Sequence, residues 1–158
     1  MKLLKKSTKL LIFMIVFAII FSLTGCGARV DMPFNGEVVF HDISLTIPTD
    51  FIRDSTESTE DFWVFEKGFY DQIILLSRSN VLEDTSIFLD SYVNTMEERG
   101  ATAAQTTFLE CSAVLSTYTL DGVYCQEMLF AYQGSYYAVA LRGGNDKEFL
   151  ELLNTVTL

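Results

Sequence analysis

From Thr107 to Arg142 the chain is written as three strand-length runs, near Thr107 to Thr119, Val123 to Tyr132 and Ser135 to Arg142, divided by the dipeptides Asp121-Gly122 and Gln133-Gly134. Two-residue connections of this kind need φ > 0, which glycine adopts without a Cβ clash, and they join antiparallel neighbours. The pattern predicts a meander. Crossover helices, which parallel strands require, have no room between these runs.

Upstream, Ile43-Ser44-Leu45-Thr46-Ile47 alternates apolar and polar residues as a half-buried strand does, and Pro48 ends it. Glu37 to His41 is its expected hairpin partner. Phe62 to Glu66 and Asp71 to Ser79 form a second expected pair around Gly68. Within that pair, Ile73 to Leu76 is apolar at consecutive positions, so both faces of the strand need cover and it belongs in the middle of the sheet. Phe88, Leu89, Tyr92, Val93 and Met96 mark one stripe of a helix over Ser86 to Arg99, with Asp84 or Thr85 as its cap and Gly100 as its stop. At the end of the chain, Asn145 and Glu148 have capping-box spacing before Phe149, Leu152, Leu153 and Val156, a second amphipathic helix. The expected class is α+β: an antiparallel sheet of about six to seven strands covered on its two faces by the two helices.

This order resembles the PsbP-like (Mog-like) fold, an antiparallel sheet sandwiched by helices that also occurs in small bacterial lipoproteins. The resemblance spans about Phe34 to Leu158. It is carried by Ile43-Ser-Leu-Thr-Ile-Pro48 with Phe51 after it, the central helix, the meander, and Phe149-Leu150-Glu-Leu-Leu153-Asn-Thr-Val156. Members of the fold serve different ends, including accessory binding to membrane photosystems and to a nuclear GTPase, so the likeness implies a fold and no particular activity. No binding residue of the family falls on a matching position.

The N-terminus has its own pattern. Lys2, Lys5, Lys6 and Lys9 lead into an apolar stretch from Leu10 to Leu23, the order of a signal peptide. About 14 helical residues rise roughly 21 Å, short of a hydrocarbon core of about 30 Å. Leu23-Thr24-Gly25-Cys26 then resembles the lipobox of bacterial lipoproteins. The resemblance implies cleavage between Gly25 and Cys26, a diacylglyceryl group on the Cys26 thiol, and a further acyl chain, such as palmitate, on the new amino group. Two or more chains hold a protein stably on a bilayer where one holds it only marginally. The expected organisation is a signal peptide over 1–25, a tether over 26–36 and a single α+β domain over 37–158, at the extracytoplasmic face of a cell membrane. Past Cys26 remain seven basic residues against 21 acidic ones, a balance of −14. Such a charge disfavours nucleic acid and anionic headgroups as partners.

Catalytic and metal constellations are sparse. His41 is the only histidine, so any Ser-His-Asp or Cys-His site would rest on it, and the bland expectation is a strand residue with a satisfied ring. With Cys26 acylated, only His41, Cys111 and Cys125 remain as soft ligands, and no zinc site is expected. The acidic stretches Asp50 to Asp61 and Glu83 to Asp90 lack calcium-loop alternation, and the first reads as a solvated loop. Arg142-Gly143-Gly144-Asn145 precedes a helix whose free N–H groups could hold an anion, although a plain strand-to-helix turn is the simpler reading. Cys111 and Cys125 invite a disulfide in an exported domain. The register argues against it, because a turn at Asp121-Gly122 sets Cys125 opposite Tyr118 and leaves Cys111 far along the strand. Tyr118, Tyr124, Phe130, Tyr132, Tyr136 and Tyr137 crowd the meander, and alternation sends some to each face, mostly as core.

The function these features suggest is a noncatalytic accessory lipoprotein that needs no cofactor, held by its lipid and binding another envelope protein. The alternatives are a small-ligand-binding lipoprotein with a pocket between sheet and helix, and an envelope hydrolase.

Overall fold

The structure, a computed structural model of the chain, describes residues 31–32, 36–68, 70–80 and 84–158. The signal-peptide segment, Gly25 and Cys26 lie outside the described residues. In chain order the described elements are β1 (Asp31–Met32), β2 (Glu37–Phe40), β3 (Ile43–Thr46), β4 (Ile52–Asp54), β5 (Phe62–Lys67), β6 (Gln72–Asn80), α1 (Thr85–Glu98), β7 (Thr102–Phe108), β8 (Cys111–Leu120), β9 (Val123–Tyr132), β10 (Ser135–Arg142) and α2 (Asp146–Leu153). Eight strands form one antiparallel sheet in the order β1-β4-β5-β6-β10-β9-β8-β7, and β2 and β3 make a separate hairpin. The class is α+β, with cover on both faces of the sheet.

The hairpin and α2 cover one face. Phe40, Ile43, Leu45 and Ile47 from the hairpin, with Phe149 and Leu153 from α2, pack on Phe65, Ile74, Leu76, Phe130, Tyr137 and Val139 of the sheet. Fully burying each such side chain contributes about 1.5–3 kcal/mol relative to leaving it in water. The chain end is stitched on by Ser44 and Thr157, which exchange backbone hydrogen bonds of 2.9 and 2.8 Å. On the other face α1 lays Leu89, Tyr92 and Met96 over Val114, Leu129, Tyr136 and Ala138. Consecutive residues of β10 therefore enter opposite cores, as the expected two-sided burial of the meander requires.

Both helices begin where their caps predict. The Asp84 carboxylate accepts from the N–H groups of Ser86 and Ile87 at 3.0 and 3.4 Å, and Gly100, with φ +81°, follows the C-terminus of α1. Asn145 and Glu148 exchange the two bonds of a capping box at the start of α2. β6 lies fourth of the eight strands, central as its apolar run demands.

Several expectations change in detail. The run Thr107 to Thr119 is divided by a hairpin turn at Leu109 and Glu110, which adopt φ 49° and 64°. No glycine or asparagine marks that turn, so the preceding strand β7 has no punctuation in the sequence. His41 is not a strand residue: it occupies the β2–β3 turn at φ 53°, a conformation histidine tolerates better than most side chains. The Asp50 to Asp61 stretch is not simply a solvated loop, because Ile52–Asp54 adds β4 to the sheet and buries Asp54. Within the 26–36 stretch read as tether, Asp31–Met32 pairs with β4 as the edge strand β1. The β2–β3 pair lies on the sheet and not in it.

Candidate functional site

Charged and aromatic side chains meet where the β2–β3 turn reaches β5, β6 and β10. Phe40 is buried beneath the turn, and its ring packs edge-on against Trp63 at 5.1 Å and Tyr137 at 6.4 Å between centroids. The His41 ring follows at 4.9 Å from Phe40. His41 Nε2 lies 3.0 Å from the Glu60 carbonyl oxygen and 3.2 Å from Asp61 Oδ1. A carbonyl can only accept, so Nε2 carries the proton and donates. Asp61 Oδ1 also accepts from Arg78 Nη1 at 3.2 Å, while the Arg78 backbone N–H donates to the Asp61 carbonyl at 2.9 Å.

Register brings the next partner in. Tyr137 stands opposite Arg78 in the β6–β10 ladder, and its hydroxyl donates to Asp42 Oδ2 at 2.7 Å. Burial raises the Tyr137 phenol above its ordinary pKa, and the bond to Asp42 adds to the effect, so it stays a donor. On β4 the Arg53 guanidinium sits 3.7 Å from the centroid of the Trp63 ring of β5, a cation–π contact. The corner is thus a lock of ion pairs and edge-packed rings that fixes the hairpin tip to the sheet. His41 Nε2 thus meets two acceptors, the Glu60 carbonyl and the Asp61 carboxylate.

A second polar group lies under α1. Glu127 on β9 is buried on the α1 face, opposite Ser116 of β8, and the Tyr92 hydroxyl donates to its Oε1 at 2.5 Å. Desolvation lifts the Glu127 carboxyl to about 7, with the bond from Tyr92 acting the other way, and burial puts the Tyr92 phenol well above its usual range. This pair is not among the residues the sequence marks as candidates. The available signal was a carboxylate at the inward phase of a strand whose other residues of that phase include Cys125 and Leu129.

The remaining candidates are dispersed. Cys125 is opposite Tyr118, as the turn register requires, and Cys111 is opposite Phe108, both as free thiols. Burial pushes the Cys125 thiol up to about 11. Tyr136 stacks on Phe88 at 4.0 Å beneath α1, Phe130 and Tyr137 are buried on the hairpin side, and Tyr124 remains 40% exposed with its hydroxyl donating to Asp146. Tyr118 and Tyr132 are half-buried. The Arg142 to Asn145 segment is a turn: the Gly143 N–H donates to the Tyr124 carbonyl at 2.9 Å, and a Cβ on Gly143 would meet the Asp71 carbonyl oxygen at 2.1 Å. The Asn145 and Glu148 side chains occupy N–H groups that an anion would use, and Asp146 adds like charge. Asp84 caps α1, Asp90 accepts from Gln105, and Glu83 lies outside the described residues. No described helix is long and apolar enough to cross a membrane, and no group of three or more His, Cys, Asp or Glu among the described residues is placed to hold a metal ion.

No protein-family profile matches the chain, and no curated protein does. Solved structures do. The solution structure of cyanobacterial PsbP (CyanoP) from Synechocystis sp. PCC 6803 is similar with a TM-score of 0.50 at 12% identity, covering 87% of this chain and 99% of that one. A Bacteroides thetaiotaomicron VPI-5482 crystal structure aligns with a TM-score of 0.49 at 16% identity, over 80% of this chain, which spans 47% of that protein's length. At these identities the likeness to CyanoP establishes the fold alone: the domain is PsbP-like.

Proposed function

We propose that this PsbP-like domain is the extracytoplasmic, lipid-anchored part of a bacterial lipoprotein and acts as a noncatalytic accessory module that binds another envelope protein. The carrying observation is the sequence Leu23-Thr24-Gly25-Cys26 followed so soon by structure: β1 begins at Asp31, five positions beyond Cys26. Five extended residues reach at most about 17 Å, so an acylated Cys26 holds the β1 edge of the sheet near the headgroups. The mature charge of −14 keeps the rest of the surface from lying on anionic lipid.

The noncatalytic part of the reading is supported by how the polar groups are engaged. His41, Asp61, Arg78, Tyr137 and Asp42 bind one another and tie the hairpin to the sheet, while Glu127 is enclosed with Tyr92 under a helix. Fractionation tests the reading. The wild-type chain should sediment with membranes and be trimmed by protease added outside the cytoplasmic membrane, whereas Cys26→Ser should lose its stable membrane attachment. A wild-type protein found in the cytosol, or one indifferent to Cys26→Ser, contradicts it.

A further inference from the structure

The sheet has two edges, and they are built differently. β1 is two residues long, and short edge strands resist pairing with foreign chains. β7, at the opposite end of the strand order, is seven residues, Thr-Ala-Ala-Gln-Thr-Thr-Phe, with no charge and no proline. Charged side chains, proline and bulges are the usual guards on an edge of that length, and β7 pairs with β8 in unbroken register from Thr102 to Phe108. Its outer polar groups follow from the turn. Phe108 and Cys111 flank a two-residue connection and form a hydrogen-bonded pair, so the alternation of the ladder turns the N–H and C=O groups of Ala103, Gln105 and Thr107 away from β8.

The ground beside this edge is acidic. Gln105 Nε2 donates to Asp90 Oδ1 at 2.5 Å, which places the Asp90 flank of α1 alongside β7. Glu97 is seven residues further on, nearly the same helical angle, and both carboxylates are exposed. On the opposite face of the sheet, Ala104, Thr106 and Leu115 are exposed. An incoming strand would therefore meet two carboxylates on one side and a small apolar surface on the other. A second copy of this chain fits poorly. Antiparallel pairing of β7 about Gln105 would set one Asp90 near the other, between domains of −14 each.

We propose that the β7 edge binds an extended basic segment of a partner protein by strand addition, with lysine or arginine at alternate positions facing Asp90 and Glu97. This deepens the accessory-module reading and rests on it for its biological setting. The sheet order suits that setting: seven steps of about 4.8 Å separate β1 from β7, so the receiving edge lies roughly 34 Å across the sheet from the tethered one.

The test uses the full chain in neutral-detergent micelles and two capped peptides of nine residues, one alternating lysine with valine and one alternating glutamate with valine. The lysine peptide should perturb the backbone amides of Ala103, Gln105 and Thr107 and bind about fivefold more tightly than the glutamate peptide, as two exposed charge pairs would give. Thr107→Pro, which removes one outward donor at an edge, should weaken it about tenfold. If that variant unfolds, the doubly substituted Asp90→Lys, Glu97→Lys protein, altered only at exposed helix positions, should invert the peptide preference. Absence of lysine-peptide binding at millimolar concentration to folded protein overturns the proposal. So does binding indifferent to the helix substitutions, or a concentration-dependent dimer whose formation blocks the peptide. None of these results bears on the acylation of Cys26, which a chain in micelles does not probe.

Discussion

The Tyr92 hydroxyl donates to the Glu127 carboxylate at 2.5 Å across the interface between α1 and the sheet, and both residues are buried. A helix on a β-sheet is ordinarily held by apolar contact, and here a titratable carboxyl is enclosed within that contact. The pair makes the stability of the domain sensitive to pH.

Glu127 has an ordinary pKa of 4.5 and one of about 7 in the folded domain. Below 4.5 the carboxyl is protonated in both folded and unfolded chains, and its full contribution is present. As pH rises toward 7 the unfolded chain releases the proton first, so the folded state loses stability, in total about 3 kcal/mol once the folded pKa is passed. Urea titrations at pH 5 and pH 8 should therefore show Glu127→Gln gaining on the wild type by most of that amount at the higher pH. Parallel behaviour of the two proteins would contradict the enclosed carboxyl.

Tyr92→Phe removes the donor and keeps the ring. Since the bond from Tyr92 holds the Glu127 pKa down against burial, the variant should move the carboxyl titration, followed by carbon-13 NMR of labelled glutamate, to higher pH. An unchanged midpoint would mean the bond does not form in solution.

Trp63 is the only tryptophan, so its fluorescence reports on the hairpin corner alone. Arg53→Met takes the guanidinium off the ring while keeping a flexible apolar stem, and should cost about 0.5–2 kcal/mol. Its emission should change in the folded state and not in urea.

The Leu109-Glu110 turn holds two non-glycine residues at positive φ, each about 1 kcal/mol above an ordinary conformation. Replacing them with Asn-Gly, the favoured pair for this turn, should raise the urea midpoint by an amount equal to about 1–2 kcal/mol. A lower midpoint would show that Leu109 contributes packing its 40% exposure does not suggest.

Alkylation without reductant should find both thiols free, with Cys111 reacting in the native protein. Cys125 is buried and its thiol lies at about 11, so it should react only on unfolding.

The sequence was legible where local chemistry and tertiary packing agree. Asp121-Gly122 and Gln133-Gly134 announce their turns, Asp84 and Asn145 announce their helices, and the double-sided apolar run of β6 announces its central place. Leu109-Glu110 makes a turn without turn residues and His41-Asp42 makes one without a glycine, because the paired strands on either side impose the backbone they need; β7 and the position of His41 were hidden for that reason. Asp54 lies in a polar stretch yet is buried, accepting from the Thr56 N–H at 2.7 Å and the Glu57 N–H at 3.2 Å, an arrangement set by β4 joining the sheet. The Glu127–Tyr92 pair joins residues 35 apart, and only the packing of α1 brings them together.

The account depends most on Cys26. Cells expressing the full chain should be fed an alkyne-tagged fatty acid and the protein's N-terminus determined by mass spectrometry. The expected result is label on the wild type, none on Cys26→Ser, and a mature chain beginning at an acylated Cys26. An unlabelled protein that still begins at Met1 would contradict the membrane-anchored reading.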